Sequence, residues 1–417
     1  MVLMGDVQGN LSVPAVIAEM MLNVDPNMTY LAMSPEEQIM FLESLETQLE
    51  NQHLQHEIVL MELVEYRVHK VISLYIPPIL LIMGTFGNMF SFLILRNKTM
   101  TRQSTNSFLS ALALADSVVL FVGLLKNWIG EMSGLDIQNQ ADWLCKLTSL
   151  LIYSSSHFSV WLIIAVTIER YIAVSQPLHA SRYCKLSRAK RVIALLAFVF
   201  ILLNLHFIWT VTLNDRAIGK TVMHNCMATH HFVFFITTIW PWVDAALYAL
   251  VPFLLIIVFN ILIIIQTLRA TTWRGEAQKG PLMNVEKRSN DNNIKLTVML
   301  LCVSFTFLIS TFPMSVAMVL HNQWEEEMHR PSTTVQLVAQ RRLLRTIAEM
   351  LMYLNHSINF YLYCALGQKF RNQVIKTLCR RKISNTSNAS DHSQHIYCSR
   401  VNGSHNHKST CIDETIL

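Results

Sequence analysis

Charge is scarce in this sequence. Asp, Glu, Lys and Arg make up 15% of its 417 residues, against roughly 25% in an ordinary soluble domain. With 52% of the residues hydrophobic, too few polar groups remain to clothe a soluble core, which argues against a water-soluble globular fold. Metal-ligand patterns are missing as well: the eight cysteines form no CxxC pair, and no Cys/His cluster has ligand spacing. No nucleophile motif and no phosphate-cradling loop occurs, which speaks against an enzyme and against any cofactor of the nucleotide type. Internal repeats and paired broken helices, the marks of a transporter, are absent too. Met1–Val24 has no basic start followed by a compact apolar core, so the first long apolar run is expected to act as its own insertion signal.

What the chain does have is seven apolar blocks, near 71–95, 104–127, 145–174, 191–209, 243–268, 294–320 and 343–364. A helix needs about 20 residues to cross the hydrocarbon core, and lipid leaves no other partner for backbone polar groups. The expected fold is an all-α membrane protein, a seven-transmembrane helix bundle. A short amphipathic eighth helix at 368–378 lies on the cytoplasmic side. Lys and Arg follow runs one, three, five and seven, as in Arg182, Lys185, Arg188, Lys190 and Arg191. This bias places the N-terminus outside and the C-terminus in the cytoplasm. Arg341, Arg342 and Arg345 are exceptions, lying near the start of run seven. The net charge of +5 reflects the membrane bias, and no nucleic-acid partner is read from it.

The chain divides into three regions: an acidic outer tail at 1–66, the helical domain at 67–379, and a polar tail at 380–417 too poor in apolar residues to fold. Asn10 and Asn27 begin glycosylation sequons on the outer side. Only Cys145 and Cys226 fall on the oxidising side, which invites a disulfide pinning the loop before run five over the bundle mouth. Cys379 is a juxtamembrane candidate for palmitoylation, and equally an ordinary thiol. The final Thr415-Ile416-Leu417 fits a carboxylate motif for a PDZ-domain protein, whose sheet edge such a peptide extends. Serines and threonines of the tail offer phosphorylation sites for an arrestin-like partner.

Several polar residues lie at depths where apolar ones would insert more easily. Asp116, Ser159, Asn355 and Asn359 fall at similar depth, and a buried Asp costs about 2.5–3.5 kcal/mol on insertion scales. They are expected to form one internal cluster, either a hydrogen-bond network or the seat of a small cation or waters. Glu169-Arg170-Tyr171 ends run three at the inner face. Pro252 and Pro313 are expected to kink runs five and six. Kinked helices around a polar cluster suit a bundle with two packings, with Arg170 placed to report which one is populated.

Together these pieces resemble the class A, rhodopsin-like G-protein-coupled receptors. The resemblance rests on Gly87-Asn88, Leu112-Ala-Leu-Ala-Asp116, Cys145, Glu169-Arg170-Tyr171, Cys226, Pro252, Phe307 with Pro313, and Asn359 to Tyr363. It implies a plasma-membrane receptor that couples an outer ligand to a heterotrimeric G protein beneath Glu169, Arg170, Tyr171, Asn359 and Tyr363. It also implies an allosteric sodium ion among Asp116, Ser159, Asn355 and Asn359. Two departures stand out: Asn359-Phe360-Tyr361-Leu362-Tyr363 lacks the usual proline, and Ser310-Thr311-Phe312-Pro313 lacks the usual tryptophan. Asn204-Leu-His-Phe-Ile-Trp209, Trp240-Pro-Trp-Val-Asp244 and Leu354-Asn-His-Ser-Ile-Asn359 are similar to invertebrate neuropeptide receptors of the FMRFamide and myosuppressin group.

Within such a receptor, Ile152 stands where amine receptors carry Asp, and Tyr353 where opsins carry the retinal lysine, so neither ligand is favoured. Asp244 and Glu349 would meet the cation of a peptide ending in Arg-Phe-amide. Tyr153, Trp242, Met314 and Met318 would take its ring. The competing reading pairs both acids internally, Glu349 with Lys126 and Asp244 with a loop base.

Overall fold

The computed structural model describes residues 57–377 apart from 98–99, 101–102, 219–220, 278–282, 329–333 and 369, together with 34, 40 and 55. The chain divides into two units, Met1–Asn372 and Gln373–Leu417. Of the second, only 373–377 are described, and they are helical. The sites expected at Asn10, Asn27, Cys379 and Thr415–Leu417 lie outside the described residues.

Among its described residues the first unit contains seven long helices. They are α1 (Val64–Leu95), α2 (Ser104–Ser133), α3 (Asp142–Ser175), α4 (Leu186–Thr210), α5 (Phe235–Arg269), α6 (Met283–Met328) and α7 (Val335–Leu366). The first six contain apolar stretches long enough to cross a membrane. The seventh has 32 residues, ample at ~1.5 Å per residue, but Arg341, Arg342, Arg345 and Glu349 lower the hydropathy of its first half. Helix α1 starts at Val64, earlier than the apolar pattern suggests, because Leu60 and Tyr66 bury against Ala339 of α7.

The helices close into a ring, α1 on α2, α2 on α3, α3 on α5, α5 on α6, α6 on α7 and α7 back on α1. Helix α4 packs outside it against α2 and α3. Its apolar stretch is 17% buried, while that of α3 is 72% buried, so α3 is the central post. Close approach at the top of the bundle depends on Gly123 of α2. A side chain there would strike Ile152 and meet the Tyr353 hydroxyl at 2.8 Å.

Two prolines shape α5. A π-helical turn at Phe235–Ile239 precedes Pro241, and another at Ala246–Leu250 precedes Pro252. Proline offers no N–H and crowds the carbonyl four residues back, so a wider turn re-pairs the backbone. The kink expected at Pro252 takes this form. Between α4 and α5 the chain forms an antiparallel hairpin of β1 (Val211–Ile218) and β2 (Thr221–Ala228), an addition to the otherwise helical fold.

Candidate functional site

At the outer end, Cys145 of α3 and Cys226 of β2 form a disulfide with Cα atoms 5.5 Å apart. The hairpin is held from two further directions. Asp142 accepts from Thr212 Oγ1 and the Leu213 amide, both at 2.9 Å. Asn139 Oδ1 accepts from the Cys226 amide at 2.8 Å. The loop is therefore fastened on both strands, which fixes the mouth of the bundle.

Beneath the hairpin lies an aromatic cluster built by α3, α4 and α5. Tyr153 stacks on Phe207 at 4.7 Å and meets Trp240 edge-on at 6.0 Å. His206 packs against Trp240 at 4.2 Å. Trp242, the expected aromatic contact, is 55% exposed and lies outside this cluster, which Trp240 joins instead. Proline at 241 and the π turn before it set which tryptophan faces inward. Met314 and Met318 are buried on α6.

Asp244 sits one helical turn below Trp240 and is 3% exposed. Its Oδ1 lies 3.0 Å from His157 Nε2 of α3, so its internal partner is a helix residue and not a loop base. The approach is too poorly aligned for a hydrogen bond, and Asp244 Oδ2 has no partner among the described residues. Asn204 Nδ2 lies 3.2 Å from His157 Nδ1 and donates to the Phe200 carbonyl at 2.7 Å. The string Asn204, His157, Asp244 thus links α4, α3 and α5 through groups of almost no exposure.

Glu349 stays more open, with 22% of its side chain exposed. Its Oε1 accepts from Arg345 Nε one turn earlier at 3.1 Å. Lys126, its partner in the competing reading, is not among the ion pairs of Glu349 at the described residues. Lys126 instead donates to Gln138 Oε1 at 2.8 Å and lies 3.8 Å from Asp136, both on the connection after α2. The outer arginines that break the charge bias are explained by neighbouring acids. Arg342 reaches Tyr66 Oη at 3.3 Å and Glu57 at 4.0 Å. Lys70 of α1 pairs with Glu131 of α2 at 2.8 Å. The outer ends of α1, α2 and α7 are clasped by these contacts.

At mid-depth, Asp116 of α2 is fully buried. Its Oδ1 accepts from Ser159 Oγ at 2.7 Å and faces His356 Nδ1 at 2.8 Å; its Oδ2 accepts from Asn359 Nδ2 at 2.8 Å. Three of the four expected residues therefore meet. Asn355 is buried, but its Nδ2 has no partner among the described residues. His356 is the residue that sequence reasoning missed. Its signal was present: it precedes Asn359 by three positions, which puts both on one face of α7.

At the inner end, Glu169 accepts hydrogen bonds from Ser104 Oγ and, at 2.6 Å, from Thr105 Oγ1, both in the first turn of α2. Arg170 Nη2 lies 3.7 Å from Glu169 Oε2. Tyr171 packs on Phe259 of α5 at 5.5 Å, and Thr167 meets Ser304 of α6 at 3.3 Å. The Cys184 carbonyl, in the connection after α3, lies 3.0 Å from the same Ser104 Oγ and competes with Glu169 for its one proton. Burial, and then the charge of Glu169, holds the Cys184 thiol above the usual range. Tyr363 is buried against Phe370 at 5.6 Å.

A seven-helix bundle with a disulfide-capped mouth, a buried Asp-centred core and a Glu-Arg-Tyr inner end defines a class. Residues 87–363, more than half of the chain, match the family described as 7 transmembrane receptor (rhodopsin family). The chain belongs to this family of receptors, which are not enzymes. It is 25% identical over 339 residues to the FMRFamide receptor of Drosophila melanogaster, an overlap of 79% of this chain and 58% of that receptor. It is 26% identical over 308 residues to the growth hormone secretagogue receptor type 1 of Sus scrofa, covering 72% and 78%. The neuromedin U receptor homolog nmur-2 of Caenorhabditis elegans is 24% identical over 322 residues, covering 73% and 78%.

Proposed function

We propose that this chain is a plasma-membrane receptor for a short extracellular peptide, with an amidated Arg-Phe end, that activates a heterotrimeric G protein. The observation that carries the ligand class is the set of relatives, whose names tie all three to peptides. The geometry supports the finer choice at one point. Glu349 keeps Oε2 outside its bond to Arg345 and is open enough to be reached. A guanidinium fork from the peptide suits such a carboxylate. Asp244 serves this reading differently, as a buried brace beneath Trp240.

The peptide enters past the β1–β2 hairpin and lies over the aromatic cluster. It drives signalling only through a difference in affinity between the two packings of the bundle. In the packing with the inner end closed, Glu169 is tied to α2 and draws Arg170 toward itself, while Thr167 contacts α6. Release of these contacts opens the inner end to the G protein.

The test is peptide potency in cells expressing the chain and its Glu349→Ala form at matched surface levels. Loss of a charge-assisted contact, ~1.5–3 kcal/mol, raises the half-maximal concentration of Arg-Phe-amide peptides by roughly 10- to 100-fold. Unchanged potency contradicts the charge pairing. A response confined to peptides lacking that end favours the second reading, a different peptide class, for which the secretagogue and neuromedin relatives speak.

A further inference from the structure

We infer that the buried Asp116 site takes no sodium ion, because His356 supplies a fixed donor where the ion of the resembled family would sit. An ionised carboxylate that is wholly buried needs partners, since unpaired burial costs several kcal/mol. Asp116 has them within the protein. Ser159 Oγ, His356 Nδ1 and Asn359 Nδ2 converge on its two oxygens at 2.7–2.8 Å. A carboxylate offers about four lone-pair positions, and these donors take three.

The donor chemistry is wrong for a cation. Hard cations are coordinated by oxygen atoms, yet two of the three groups aimed at Asp116 are N–H groups with no lone pair facing it. His356 Nδ1 faces an acceptor and so carries a proton there, whether or not Nε2 carries one too. An ion at Oδ1 would meet the positive end of that bond. Moving the ring aside is obstructed. His356 is completely buried, and its carbonyl is held by Asn88 Nδ2 at 3.1 Å. Asn355, the remaining member of the implied ion set, is not among the hydrogen-bond partners of Asp116 at the described residues. Helices α2, α3 and α7 are thereby joined through Asp116 without an ion, and sodium is not an allosteric ligand of this chain.

The inference is independent of which peptide binds, and its test needs no agonist. Thermal unfolding of the purified full-length chain in detergent is measured in roughly 150 mM sodium chloride and in equal choline chloride, which holds ionic strength constant. The wild-type midpoint is expected to be the same in both salts. His356→Ser frees the carboxylate and adds a hydroxyl oxygen, and its midpoint is expected to rise by roughly 3 °C in sodium. His356→Ala serves if the serine form does not fold. A sodium-dependent rise in the wild-type midpoint overturns the inference. So does a histidine variant that folds and remains indifferent to sodium, because the ring is then not what excludes the ion.

Discussion

Asp244 and Glu349 look alike in the sequence, two acids in the outer halves of apolar runs, and their surroundings give them different roles. Asp244 is sealed against His157, and Glu349 remains within reach from outside. Removing His157 leaves a buried carboxylate with no counterpart, a change that typically costs about 3–5 kcal/mol. His157→Ala is therefore expected to lower thermal stability and surface expression sharply. Trp242→Ala, at an exposed position, is expected to change stability by no more than about 0.5 kcal/mol. Equal effects of the two substitutions in a melting assay would refute this placement. Charge and depth announced both acids in the sequence. Their partners were not legible, because contacts between helices far apart in the chain depend on rotations that periodicity does not set. The choice of Trp240 over Trp242 has the same origin: the π turn before Pro241 rotates the helical residues beyond it.

At the scale of elements, six of the seven spans were readable because each is a block of apolar residues about as long as a bilayer needs, and the seventh was readable from its apolar second half despite Arg345 and Glu349. The hairpin was not readable, because 211–228 shows no sustained alternation to mark a strand. Its anchors are a disulfide and two side chains, Asp142 and Asn139, which only the folded chain brings together. The Cys145–Cys226 link spans 81 residues of sequence, and loss of a native disulfide typically costs about 2–5 kcal/mol. Cys226→Ser is expected to reduce surface expression and peptide potency while leaving the inner contacts of Glu169 intact. Nonreducing mass spectrometry of the wild type should find the linked peptides, and potency unaffected by the substitution would show that the hairpin does not shape the mouth. The contact that supports the early start of α1, Tyr66 packing against Ala339 of α7, was hidden for a similar reason, since it joins residues far apart in the chain.

Across the whole molecule, three layers lie along α3, the most buried helix: the disulfide and aromatic cluster above, Asp116 with Ser159 in the middle, and Glu169-Arg170-Tyr171 below. A peptide at the top and a partner at the bottom can communicate because one helix belongs to every layer. The two-packing account requires that α6 separate from α3 at Thr167 and Ser304, freeing Arg170. The missing proline after Asn359 does not dissolve the core, since Asn359 still reaches Asp116 and Tyr363 still packs on Phe370. Family and architecture were legible from motif spacing, whereas the filling of the middle layer by His356 was not, because helical spacing puts it on the face of Asn359 without showing that this face turns toward Asp116. The most direct measurement is guanine-nucleotide exchange on G proteins in membranes bearing the chain, challenged with amidated peptides, with Arg170→Ala at equal surface expression as the comparison. Peptide-stimulated exchange in the wild type that disappears in Arg170→Ala is the predicted result. Stimulation that persists in the variant, or none from any peptide despite surface expression, would contradict the account.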